Sequence, residues 1–115
     1  MSRFRNFSRQ AATDLDRTVG WILDHGGAAS AAEQLLTAVL TAGERIAKRP
    51  LLGRRRPELL SEPYRFWSIP RYRLLLVYDP TTRPATILRV LNTAQDLPPL
   101  LADLRDPPDT PEDRE

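Results

Sequence analysis

The fold is decided by residues 64–91, which read YRFWSIPRYRLLLVYDPTTRPATILRVL. Aromatic and β-branched residues dominate this stretch, and such residues favour strands. Two segments interrupt it: Pro70 with Arg71, and the Asp-Pro-Thr-Thr-Arg-Pro cluster at 79–84. Proline and these small polar residues are typical of turns. The stretch therefore predicts three antiparallel strands, at 64–69, 72–78 and 85–91.

Two amphipathic helices are predicted before the strands. From residue 9 to residue 25, apolar residues recur at spacings of three and four, which places them on one helical face. They are Ala12, Leu15, Val19, Ile22 and Leu23. A second apolar stripe runs from Ala32 to about Ala47, and Pro50 stops it. Because only a few residues link the two helices, they are expected to form an antiparallel hairpin.

The ends of these helices carry recognisable signals. Gly26 and Gly27 supply the permissive backbone that ends the first helix. His25 lies in its last turn, where an imidazole suits the negative end of the helix dipole, so a capping role is favoured over catalysis. Ser30 and Glu33 have the spacing of a capping box, which predicts that the second helix starts there.

The remaining segments complete a two-layer α+β domain. Residues 1–8 predict a short edge strand, 51–63 a connecting loop and 95–104 a last short helix. The apolar stripe of the helical hairpin matches the apolar face of a three- to four-stranded, mainly antiparallel sheet. Residues 1–105 are thus expected to form one domain. Residues 106–115 contain three prolines and five acids, which predicts a disordered acidic tail.

Composition excludes several classes of protein. With 115 residues, the chain has the size of one domain. No apolar run approaches the roughly 20 residues needed to cross a bilayer, and no signal peptide is visible, so a cytoplasmic location is expected. The chain has no cysteine and a single histidine. Phosphate-binding glycine loops, paired carboxylates and serine elbows are also missing from the sequence, so no metal or cofactor is predicted.

The charge is concentrated in the predicted domain and is almost all arginine. Residues 1–105 hold sixteen bases and ten acids, a net charge of +6, and Lys48 is the only lysine. The guanidinium group is a planar fork of donors that suits phosphate and carboxylate. The charge therefore favours a polyanionic partner, either nucleic acid or an acidic protein. A GC-rich coding bias is the alternative origin of the arginines.

Seven arginines are the candidate binding residues: Arg54, Arg55, Arg56, Arg65, Arg71, Arg73 and Arg89. Arg89 is the most informative, because it interrupts an apolar strand where a charge needs a partner or an exposed functional face. A structural salt bridge, a role in target binding or catalysis, and simple exposure all remain open for it. For 54–56, the alternative is a solvated basic loop.

Three short motifs, taken with the order of elements, resemble the RelE/ParE superfamily of toxins from bacterial toxin-antitoxin systems. They are Pro50-x-x-Gly53-Arg54, Tyr72-Arg73-Leu74 running into Val77-Tyr78, and Arg89-Val90-Leu91-Asn92-x-Ala94-Gln95-Asp96-Leu97. The resemblance covers roughly residues 4–104. It implies a compact cytoplasmic toxin that is silenced by a cognate antitoxin encoded by the adjacent gene, in a hetero-oligomer. Exposed apolar positions of the hairpin and an edge of the sheet are the expected landing surface of the antitoxin.

The resemblance implies one of two mechanisms. RelE-like members cut messenger RNA in the ribosome with basic residues and a terminal tyrosine or histidine, whereas ParE-like members poison DNA gyrase. Where many relatives carry histidine, this chain has Asn92, whose amide does not titrate near neutral pH. Tyr72 or Tyr78 could substitute only if a strand turned one of them into the site. The missing base favours the ParE-like branch.

The favoured hypothesis is a gyrase inhibitor that acts by binding. Its target-facing candidates are the seven arginines, with Asn92 and Gln95 as supporting polar groups. Two alternatives stay open: a RelE-like, ribosome-dependent endoribonuclease that uses the same arginines on phosphate, and a toxin fold that has lost toxicity and acts as an interaction module. No catalytic residue is assigned.

Overall fold

A computed structural model describes residues 4–105 and confirms the predicted α+β architecture. Two long helices come first, three strands follow, and two short helices end the described chain. The helices are α1 (Arg9–Asp24), α2 (Ala29–Lys48), α3 (Leu97–Leu100) and α4 (Ala102–Arg105). The strands are β1 (Arg65–Ile69), β2 (Leu74–Asp79) and β3 (Thr86–Asn92). The predicted acidic tail, 106–115, lies outside the described residues.

The three strands form one antiparallel sheet in the order β1-β2-β3. Phe66 lies opposite Val77, and Leu76 lies opposite Val90. The predicted tight turn between β1 and β2 is a short 3-10 helix, Pro70–Tyr72. Of the edge strand predicted at 1–8, residues 1–3 lie outside the described residues. Residues 4–8 contribute one parallel bridge, between Phe7 and Ile87, which extends the sheet beyond β3.

The central strand β2 is buried on both faces of the sheet, which explains its continuous apolar sequence. Leu74, Leu76 and Tyr78 face the helical hairpin and belong to the larger core cluster. Leu75 and Val77 face the other side, in a smaller cluster with Leu59, Leu60, Phe66, Leu91 and Leu101. The sheet therefore has a second covered face, provided by the connecting loop and the C-terminal segment.

Both long helices lie within about one residue of their predicted bounds, but the capping box is wrong. Ser8 caps α1, because its hydroxyl accepts a hydrogen bond from the Ala11 amide at 3.1 Å. The α2 helix begins at Ala29, and its N-cap, Ala28, makes no side-chain cap. The Ala28 carbonyl accepts from the amides of Ala31 and Ala32, so Ser30 lies inside the first turn and cannot cap it.

The other helix ends follow the sequence signals more closely. His25 is the C-cap of α1, as predicted, and its amide donates to the Trp21 carbonyl at 3.0 Å. Gly26 has a φ of +83°, a conformation that glycine adopts at little cost. The last helix, predicted over 95–104, begins only at Leu97 and breaks at the fully buried Leu101. Leu101 packs in the smaller core cluster, on the second face of the sheet.

Candidate target-binding site

Eight of the nine predicted site residues fall at opposite ends of the sheet, and Arg89 lies between them, opposite Val77. We call residues 45–56 with Arg65 the loop end, and residues 70–73 and 92–96 with the C-terminal half of α1 the turn end. Arg65 starts β1 and pairs with Tyr78, whereas Ile69 ends β1 and pairs with Leu74. At about 3.3 Å per residue, these positions lie about 13 Å apart along the strand. The nine candidates therefore do not form a single compact site.

Arg71 and Arg73 project from the turn between β1 and β2. Both side chains are exposed, and the Arg71 guanidinium lies 5.3 Å from the centre of the Tyr72 ring, within cation–π range. The backbone of Arg73 is left-handed, with a φ of 54°, and its carbonyl accepts from the Thr93 amide at 2.8 Å. A residue other than glycine pays a conformational cost there, so the surrounding turn must enforce that geometry.

Asn92 and Gln95 lie beside this turn at the end of β3. The Asn92 side-chain oxygen accepts a hydrogen bond from the backbone N–H of Ala94 at 2.8 Å, and the backbone N–H of Gln95 donates to the backbone carbonyl of Asn92 at 3.1 Å. These bonds form an Asx-type turn that fixes the backbone. Both side chains are exposed, so Gln95 keeps its amide group at the surface.

An open cleft of about 420 Å³ separates α1 from the end of β3. It is lined in part by Arg89, Asn92 and Gln95, so it gathers three of the predicted candidates. Two further lining residues, Arg17 and Trp21, were missed by the sequence analysis. The Trp21 side chain is 62% exposed and stacks on the His25 ring at 4.2 Å. The spacing of four between Arg17 and Trp21 on one helix was the available signal.

Arg89 is committed to an ion pair inside the fold. Its Nε donates to one oxygen of Asp14 at 2.7 Å and its Nη2 to the other at 3.0 Å. The side chains are 14% and 5% exposed, and the Asp14 hydrogen bond raises the pKa of Arg89. Asp14 also accepts from the Val90 amide at 3.0 Å. This is the structural salt bridge among the three alternatives, and it fixes α1 on β3.

The loop end is organised by one tyrosine hydroxyl. Tyr78 donates to the Pro50 carbonyl at 2.7 Å and accepts from the Gly53 amide at 2.7 Å. Arg65 closes the arrangement by donating to the Gly53 carbonyl at 2.8 Å. A Cβ at Gly53 would lie 2.6 Å from the Tyr78 hydroxyl and 2.7 Å from the Phe66 carbonyl. The Pro50-x-x-Gly53 motif therefore has a packing role.

The three consecutive arginines of the loop end differ in their contacts. The Arg54 backbone pairs with Phe66 through two hydrogen bonds, of 2.8 and 2.7 Å, while its side chain is exposed. Arg55 pairs with Glu62 at 3.4 Å and Arg56 with Glu58 at 3.0 Å. Because these pairs are solvent-exposed, each contributes little to stability. Their guanidinium groups can exchange an exposed carboxylate for another anion at low cost.

Comparison with known families identifies the class of this protein. A family model described as "ParE toxin of type II toxin-antitoxin system, parDE" matches residues 6–97, from the N-terminal bridge through the Asn92 turn. The chain belongs to the ParE toxin family. It is accordingly a toxin of a type II toxin-antitoxin system, and the family implies an antitoxin partner. No curated protein matches the chain.

Within this ParE fold, the two tyrosines that could replace a terminal base lie in different surroundings, because Tyr78 is buried and Tyr72 is partly exposed. Tyr78 is fully buried, both hydrogen-bonding roles of its hydroxyl are used, and burial raises its pKa. Tyr72 packs against the larger core cluster beneath Arg71. Among residues 4–105, no group of carboxylates and imidazoles is arranged to hold a metal. No helix in the same range is long and apolar enough to span a bilayer.

Proposed function

We propose that this ParE toxin inhibits DNA gyrase by binding to it and blocking its religation step, which arrests growth. The observation that carries the proposal is the ParE family match over residues 6–97. Two features of the site support it. Asn92 occupies the position where a nuclease base was expected, and the Tyr78 hydroxyl is used to hold the loop end together. Inhibition by binding requires neither group to transfer a proton.

The turn end is the proposed gyrase-contacting surface. It presents exposed Arg71 and Arg73, the side-chain amide groups of Asn92 and Gln95, and the exposed ring of Trp21. Arginine and tryptophan are the residue types most often responsible for binding energy at protein interfaces. The cleft between α1 and β3 gives a partner side chain a place to enter beside Trp21.

Arg65 and Arg89 are given positioning roles in this proposal. Arg89 holds α1 against β3 and so sets the width of the cleft, while Arg65 fixes the loop at Gly53. Arg54, Arg55 and Arg56 stay in the proposal as target contacts at the loop end. Because they are separated from the turn end, the proposed target is the complex of gyrase with its DNA, which can contact both ends of the sheet.

The proposal includes a cognate antitoxin, encoded by the adjacent gene, that binds the toxin in the cytoplasm. Trp21 and Leu23 are exposed apolar residues of the hairpin and suit an apolar partner segment. Both outer strands already carry one bridge, from Phe7 to β3 and from Arg54 to β1, so an added strand has only part of each edge to use. Co-expression of the two adjacent genes, followed by co-purification, tests this partnership.

A gyrase supercoiling reaction tests the proposed target. Purified toxin added to gyrase from the same host is expected to trap cleaved DNA. The variant Arg71→Ala/Arg73→Ala is expected to lose trapping by tenfold or more, whereas the control Arg5→Ala/Arg83→Ala removes two exposed arginines elsewhere and retains it. Cleavage of ribosome-bound messenger by a toxin that leaves gyrase unaffected would replace this proposal with the ribonuclease mechanism.

A further inference from the structure

The strongest charged feature outside the turn end is the basic segment, which we define as residues 45–56. It holds six cationic residues and no acidic one: Arg45, Lys48, Arg49, Arg54, Arg55 and Arg56. Four of them, Arg45, Lys48, Arg49 and Arg54, are exposed and form no ion pair with any described residue. Such a concentration of unneutralised charge attracts polyanions.

We propose that the basic segment binds the phosphate backbone of double-stranded DNA. The inference deepens the proposed function and rests on it in one respect, since gyrase would present the DNA in the cell. A toxin that contacts gyrase through its turn end and DNA through its loop end would hold the cleaved complex from both sides. The 13 Å separation of the two ends along β1 makes two partner surfaces possible on one small domain.

The chemistry of the segment favours phosphate over an acidic polypeptide. Five of its six cations are arginines, whose planar donors bind phosphate in a two-point geometry. An acidic helix docking in a groove would need several apolar anchors at helical spacing. The one exposed large apolar side chain of this segment is Leu51, at 69%. A charged surface with one apolar residue fits a backbone of phosphates better than an amphipathic partner.

The backbone of the segment is already fixed, which lowers the entropy lost on binding. Arg49 caps α2, and its carbonyl accepts from the Leu52 amide at 2.9 Å. Tyr78 then holds Pro50 and Gly53, and Arg54 pairs with Phe66. The cationic side chains on both sides of residues 50–53 therefore project from a backbone that is held by hydrogen bonds.

The C-terminal end of α2 disfavours anion binding, so the cationic side chains must supply the attraction to phosphate. A helix C-terminus carries partial negative charge, which repels phosphate. Arg45 and Lys48 lie in the last turn and offset that charge. Removal of the side-chain cations is therefore expected to abolish binding, because the backbone contributes none of it.

Fluorescence anisotropy with a labelled 20-base-pair duplex, without gyrase, tests the DNA surface directly. The full-length toxin is compared with Arg45→Gln/Arg49→Gln/Arg54→Gln and with the matched control Arg17→Gln/Arg71→Gln/Arg73→Gln at the turn end. Each neutralised phosphate contact contributes about −0.9 to the slope of log affinity against log salt. The loop-end variant is expected to bind at least tenfold more weakly, with a slope reduced in magnitude by about 3. The control is expected to keep both values.

Three outcomes would overturn the DNA surface. Equal losses in the two variants would show that net charge alone attracts the duplex. Displacement of the duplex by polyglutamate at equal total charge would assign the surface to an acidic polypeptide. Toxin that traps cleaved DNA with gyrase, yet binds no duplex by itself at low salt, would leave the proposed function intact and remove this inference. Duplex binding by a toxin that has no effect on gyrase would support the DNA surface and overturn the proposed function. Circular dichroism confirms that each variant is folded.

Discussion

The two ends of the sheet are built in different ways. At the loop end, the buried Tyr78 hydroxyl and the Arg65 guanidinium hold the backbone of 50–53, and cations project around it. At the turn end, exposed side chains are mounted on two short turns, one of which is kept in a left-handed conformation at Arg73. Arginines therefore have two different roles in this fold. The side chains of Arg71 and Arg73 project into solvent, whereas Arg65 and Arg89 hold parts of the backbone in place. Substitutions can separate these roles.

The largest effect is expected from the ion pair between the two ends. Asp14→Ala leaves Arg89 largely buried without its carboxylate and leaves the Val90 amide without its acceptor. Breaking such a pair from one side costs about 3 kcal/mol or more of unfolding free energy. Urea denaturation measures the loss, and the control Asp16→Ala, an exposed residue on the same helix, is expected to change stability by less than about 0.5 kcal/mol. Equal stability of the two variants would show that the pair is not structural.

A smaller loss is expected at the loop end from Gly53→Ala. The added Cβ would lie 2.7 Å from the Phe66 carbonyl, so backbone must move, and overpacking of this kind costs about 1–3 kcal/mol. The control Gly20→Ala is expected to raise stability, because a Cβ at that position would meet nothing within 4 Å and alanine favours a helix over glycine by about 0.5–1 kcal/mol. Thermal unfolding measures the stability of both variants. A neutral Gly53→Ala would show that the Pro50-to-Gly53 turn is not closely packed.

These first two cases show what the sequence could predict and what it could not. Strand and helix positions followed from the local patterns of residues, because apolar spacing and turn residues act over a few positions. The partner of Arg89 lies 75 residues away on α1, and no sequence pattern near β3 indicates that this partner is Asp14. The role of Gly53 likewise depends on Tyr78, 25 residues later. Ser30 shows the reverse error, because a correct local spacing was overridden when α2 started at Ala29.

The candidate site was less predictable than the fold for the same reason. The sequence identified the arginines by type, but their division between two ends depends on strand register. Arg17 and Trp21 were not predicted as site residues, because the cleft they line forms only when α1 packs beside Asn92. Contacts between distant segments therefore decide which charged residues share a surface.

Tyr78→Phe is expected to have a moderate effect on the loop end. The change removes the hydroxyl that donates to the Pro50 carbonyl and accepts from the Gly53 amide. Leaving such a buried backbone group without a hydrogen bond costs about 1–3 kcal/mol. Tyr72→Phe is the matched control, and it is expected to be nearly neutral because no hydrogen bond of its hydroxyl is found among the described residues. Urea denaturation at pH 7 measures both. A larger loss in Tyr72→Phe would overturn the assignment of the anchoring hydroxyl.

The same tyrosine predicts a stability change at high pH. Burial raises the pKa of Tyr78 in the folded chain, so the unfolded chain releases this proton first, near pH 10. The stabilisation is complete below that pH and is lost as the pH rises toward the folded pKa. The stability difference between the native chain and Tyr78→Phe is therefore expected to shrink above pH 10. A difference that stays constant from pH 8 to pH 11 would show that Tyr78 titrates normally.

The smallest change in stability, and the sharpest test of the turn end, is expected from Arg73→Gly. Glycine relieves the left-handed φ of 54°, so the free energy of unfolding is expected to rise by up to about 1 kcal/mol. Arg73→Ala removes the same charge without relieving the backbone, so it should be no more stable than the native chain. Both variants are expected to lose trapping of cleaved DNA by gyrase, because each lacks the guanidinium. A stabilised Arg73→Gly toxin that still traps cleaved DNA would show that the guanidinium of Arg73 is not needed for target binding, and Arg73 would be removed from the proposed gyrase-contacting surface.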